Sequence, residues 1–84
     1  MIYVDDYPGR VKGMKMSRMT GTSEQELDAM AEAVGLQRCD QYRTSNRTTY
    51  YNVSMAKRQL AIDLGAVPIT AVEMNEKFFK RKGE

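Results

Sequence analysis

Eighty-four residues with a formal net charge of +2, 42% hydrophobic and 29% charged, describe one ordinary globular domain rather than a disordered chain. Histidine is absent, which removes the usual general base, the usual partner of a serine or cysteine nucleophile and the commonest metal ligand. Cys39 is the single cysteine, so neither an internal disulfide nor a thiolate zinc cluster can form.

A domain this small has a modest core, and a shallow groove or an interface site suits it better than a deep active site. The apolar runs are far shorter than the ~20 residues that span a bilayer. The start, MIYVDDYPGR, shows no basic leader or apolar segment, and the expected location is the cytoplasm, of a host cell if the source is a phage.

Ile2 to Asp5 reads as a short strand ended by the turn Tyr7-Pro8-Gly9. Val11 to Met19 alternates as a strand, with Met14 and Met16 on one face. Ser23 and Glu26 have the spacing of a capping box, and Leu27, Met30, Ala31 and Val34 form the apolar stripe of a helix that Gly35 closes. Leu36 to Arg43 and Thr48 to Val53 read as strands joined by Thr44-Ser45-Asn46-Arg47. A second helix runs from Met55 to Leu64 behind the N-cap Ser54 and stops at Gly65. Val67 to Ile69 is a buried strand, and Thr70 with Glu73 opens a last helix carrying Ala71, Met74 and Phe78 on one face. The predicted order, β-β-α-β-β-α-β-α, gives an α+β fold with two to three helices on one small sheet. Residues 77–84 are expected to form a frayed basic tail of this single domain.

The charges separate along the chain. Arg10, Lys12, Lys15 and Arg18 come without an acid, and Glu24, Glu26, Asp28 and Glu32 come without a base. Distinct basic and acidic faces steer a protein toward charged partners, although ordinary solvated surface also accounts for them.

Three groups of residues suggest chemistry. Asp5 and Asp6 follow a strand and could hold Mg²⁺ or act as acid and base, or simply make the turn. Lys57 and Arg58 sit one turn inside the second helix, where free N–H groups attract phosphate, although no phosphate-binding glycine motif supports them. Tyr50, Tyr51 and Asn52, with Arg43 and Arg47 upstream, combine stacking rings with guanidinium groups. Strand alternation leaves one of the two tyrosines available and sends the other to the core.

The order of these pieces resembles a family of short uncharacterised phage and bacterial proteins. The resemblance rests on Tyr3-Val4-Asp5-Asp6, the Gly9-to-Met19 stretch, Glu26-to-Ala31 with Gly35, the Tyr51 strand, Lys57-Arg58 with Ala61, and Gly65-Ala66-Val67-Pro68-Ile69-Thr70. It implies a phage-type source and supplies no activity. It also implies a histidine where Arg18 stands, another where Tyr50 stands, and an acid where Asn52 stands.

These readings favour a small binding protein for a phosphate-bearing ligand, a nucleotide or nucleic acid, without a catalytic motif. Arg10, Arg18, Lys57 and Arg58 would supply charge, and Tyr50, Tyr51 and Asn52 would supply stacking and hydrogen bonds. The alternatives are a protein-interaction module, such as an inhibitor of a host factor or a homodimer using Phe78 or Phe79, and a Mg²⁺-dependent phosphoesterase at Asp5 and Asp6.

Overall fold

The computed structural model describes residues 1–6, 9–11, 14–37, 40–44 and 48–79, with the side chains of 9–11 and 14 excepted. Its elements are β1 (Ile2–Val4), β2 (Gly9–Val11), β3 (Met14–Gly21), α1 (Glu24–Ala33), β4 (Gln41–Arg43), β5 (Thr49–Ser54), α2 (Met55–Asp63), β6 (Val67–Pro68) and α3 (Ala71–Met74), which runs on as a π-helical turn, Asn75–Phe79. The fold is α+β, with the sheet order β4-β5-β3-β1-β6 and β2 paired to the first half of β3. β1 runs parallel to β6, and the other pairings are antiparallel.

The strand ends shift by a residue or so throughout, the short strand expected as buried at Val67–Ile69 is Val67–Pro68 and only partly buried, and two strands differ more. Val11 belongs to β2 and pairs with Met14, so the stretch expected as one strand from Val11 to Met19 is split between two. The pairing Ile2↔Gly21 to Val4↔Met19 gives way to Gly9↔Met16, a register two residues apart, as in a hairpin interrupted by an insertion after Asp5. The expected strand from Leu36 shortens to Gln41–Arg43, because the Leu36 N–H closes the end of α1 on the Ala31 carbonyl and its side chain packs against the core.

One face of the sheet holds the main core. Ile2, Val4, Met19, Tyr51 and Val53 alternate onto it, and Leu27, Ala31 and Val34 of α1 and Ala61 of α2 cover it. Met19 and Leu27 are among the largest fully buried side chains, each contributing about 2 kcal/mol of burial. Gly35 and Gly65 take φ of 81° and 110° and end α1 and α2, as the sequence predicts.

The other face is covered in part by α3 and its continuation. Met74 is fully buried there, and Phe78 rests on Tyr3 with ring centroids 5.5 Å apart. Thr70 makes the predicted capping box with Glu73. At α1 the box is half made: Ser23 accepts from the Glu26 N–H, while the Glu26 carboxylate pairs with the N-terminal amine. Lys77 to Phe79, expected in the tail, are in the helical turn, because the two phenylalanines gain contact with the sheet by continuing it. Residues 80–84 lie outside the described part.

Candidate functional site

β1 turns Asp5 onto the outer sheet face, opposite the face that carries Val4. There its carboxylate accepts from the Arg18 backbone N–H at 2.8 Å and from Arg18 Nε at 2.7 Å. Asp5 is wholly buried, whereas the Arg18 side chain keeps 15% exposure. Arg58 arrives from α2 and donates its Nε to the Asp5 carbonyl at 2.8 Å. One aspartate therefore gathers two guanidinium groups, Arg18 on its carboxylate and Arg58 on its backbone carbonyl.

The aromatic part adjoins this cluster. Arg18 lies 4.6 Å from the centre of the Phe79 ring, within cation–π range. Phe79 meets Tyr50 edge-on at 5.3 Å, and Tyr50 stacks on Tyr42 at 5.7 Å. Tyr42 is 43% exposed and presents its ring to solvent at the edge strand. Asn52 is half-buried on the same face, directly across from Arg18 in the β3–β5 pairing. Arg18, Tyr50 and Asn52, where the resemblance puts two histidines and an acid, thus share one face of the sheet.

The remaining candidates go elsewhere. Tyr51 is in the core, its hydroxyl accepting from Gln41 Nε2 at 3.1 Å and donating to Asp28 at 3.0 Å. Lys57 turns to the helical layer, where its Nζ donates to the Gly35 carbonyl at the end of α1. Arg43 is held by Glu24 at 3.0 Å, next to the Thr49 hydroxyl. Arg10 pairs with Lys15 through the backbone, and its side chain lies outside the described part. Arg47 and Cys39 lie outside it as well.

Asp5 and Asp6 part company. The Asp6 carboxylate accepts from the Ala71 N–H at 2.6 Å, joining the end of β1 to the first turn of α3. With Asp5 against a guanidinium, the two carboxylates serve different partners. Among the described residues no three His, Cys, Asp or Glu side chains come together as a metal site. No described helix is long and apolar enough to cross a membrane.

Sequence reasoning missed Tyr42 and the part played by Phe79. Tyr42 was hidden by the register of β4 against β5. A turn of four residues, Thr44 to Arg47, would pair Arg43 with Thr48 and set Tyr42 on the core face. Arg43 pairs with Thr49 instead, which sends Tyr42 outward to meet Tyr50.

A concavity of about 290 Å³ opens beside Thr20, Thr22, Glu24, Thr49 and Phe78. Glu24 in it already accepts from Thr49 and Arg43.

No curated protein and no solved structure matches the chain. A family model does match residues 2–81, nearly the whole length, and on that ground the chain belongs to the family described as protein of unknown function DUF4031.

Proposed function

We propose that this chain is a small binding protein for a phosphate-bearing ligand with a base, a nucleotide or a nucleic acid strand, seated on the outer sheet face. The observation that carries the reading is the adjacency of two groups. The Arg18–Asp5–Arg58 cluster offers two guanidinium groups, and the Tyr42–Tyr50 pair beside it offers a flat ring. Stacking on an exposed aromatic ring tolerates any base, and a nearby guanidinium answers the phosphate.

The roles differ from the initial expectation. Tyr42 and Tyr50 supply the stacking surface, Asn52 a hydrogen-bonding amide, and Arg18 and Arg58 the charge. Tyr51 and Lys57 support the fold, one from the core and the other at the end of α1.

Fluorescence anisotropy of a labelled oligothymidylate over a salt series tests the reading, with competition by nucleoside triphosphates. A strand neutralised by several cations loses affinity linearly in log–log form. A single nucleotide shows a shallow salt dependence and competes fully. Binding of neither removes the reading.

A further inference from the structure

The last helical turn closes over the outer sheet face where the proposed ligand has to enter. Asn75–Phe79 leaves α3 as a π-helical turn, a form that is rare and recurs at functional sites. Met74, the residue before it, is fully buried, whereas no residue of the turn itself is. Its hold on the sheet is a series of separate contacts. The Thr48 hydroxyl donates to the Phe78 carbonyl at 2.8 Å. The Phe78 ring lies 5.5 Å from that of Tyr3, and Lys77 Nζ lies 5.8 Å from the centre of the same tyrosine. Phe79 covers Arg18 at 4.6 Å and meets Tyr50 at 5.3 Å.

The closed turn conflicts with the task of Arg18. A guanidinium that answers a phosphate has to reach it, yet the Arg18 side chain keeps 15% exposure, with the Asp5 carboxylate against its Nε and the Phe79 ring beside it. Asp5 cannot withdraw without stranding a buried charge. Phe79 can, because a turn with no wholly buried residue opens locally while the rest of the fold stays closed. We infer that Asn75–Phe79 is an autoinhibitory strap, hinged at Met74, that shuts Arg18 and Tyr50 away and swings off when a nucleotide or strand binds. This regulation rests on the ligand reading above. Only the open state offers the guanidinium and the ring together, so the apparent affinity is the intrinsic one reduced by the open fraction. Whatever loosens the strap therefore tightens binding. A purely structural turn, or a third ring in the stacking row, acts in the opposite sense, since its loss disorders the face or removes contact area.

The test uses the whole chain and a labelled oligothymidylate. Thr48→Val keeps the shape of the side chain and removes the bond to Phe78, and Phe79→Ala removes the cover. Anisotropy is expected to show affinity raised about fivefold by Thr48→Val, the equivalent of one hydrogen bond, and about tenfold by Phe79→Ala. Circular dichroism melts report whether each variant keeps the fold. Amide hydrogen exchange on the unaltered chain is the second measurement. Residues 76–79 are expected to exchange ahead of β3 and β5, and faster still in the complex, where the strap is held open. Equal or weaker binding by folded Thr48→Val or folded Phe79→Ala, with the wild-type chain binding, overturns the strap and leaves the ligand reading standing. Unchanged or slower exchange at 76–79 in the complex does the same. Binding by neither the wild type nor the variants removes the ligand reading and the strap together.

Discussion

Arg18 Nε stands 2.7 Å from Asp5 Oδ2, a pair formed across neighbouring strands with the carboxylate wholly buried. Its backbone N–H holds the other carboxylate oxygen at 2.8 Å, so both oxygens are engaged by one residue. The pair fixes the end of β1 against β3, and Arg58 is drawn to the carbonyl of the same aspartate.

Breaking that pair leaves a desolvated guanidinium. Asp5→Leu is predicted to cost about 3–5 kcal/mol in urea unfolding, with an unchanged m-value. Adding Arg18→Met to it removes the stranded charge, and the double variant is expected to be more stable than Asp5→Leu alone. A double variant no more stable than the single one contradicts the assignment.

Tyr50 and Tyr51 separate structure from binding. Tyr51→Phe removes a hydroxyl that bridges Gln41 and Asp28 and is predicted to cost about 1 kcal/mol of stability, with ligand affinity unchanged. Tyr50→Ala is predicted to cost about 1–3 kcal/mol of binding to a single strand, the usual value of one stacked base. Denaturation curves and anisotropy on the same preparations compare the two, and the reverse assignment would place the ligand elsewhere.

The last turn is tied to the sheet by its rings. Phe79 meets Tyr50 edge-on at 5.3 Å, so a double-mutant cycle of Phe79→Ala and Tyr50→Ala is predicted to show a coupling of about 0.5–1.5 kcal/mol. Additive losses would mean that the two rings do not support each other.

Gly65 closes α2 at φ 110°, where a Cβ is strained although no atom lies in its way. Gly65→Ala is predicted to destabilise by about 1 kcal/mol or more, read from the urea midpoint. A neutral or stabilising outcome would show that this turn relaxes to a different backbone.

Much of the fold is local in origin, and that part was legible. Ser23, Ser54 and Thr70 stand at the three helix starts, and Gly35 and Gly65 close two of the helices. The apolar stripe through Leu27 and Ala31 announces which face of α1 is buried. The partners of Asp5 were not legible, because Arg18 and Arg58 lie 13 and 53 residues away and meet it through strand pairing and helix packing. A carboxylate after a strand reads alike whether it faces a metal, a turn or a guanidinium. Alternation does say that Tyr50 and Tyr51 part, and the core takes Tyr51, which shares the buried face of β5 with Val53. Tyr42 needed the β4–β5 register, which a single residue of slip inverts.

The most direct measurement is a titration of the ¹⁵N-labelled chain with a short oligothymidylate, followed residue by residue by amide chemical shift. The account predicts saturable changes gathered at Arg18, Tyr42, Tyr50 and Asn52, with α1 and the exposed side of α2 left in place. Unmoved resonances at a large excess of the strand, or changes confined to α1 and α2, would contradict it.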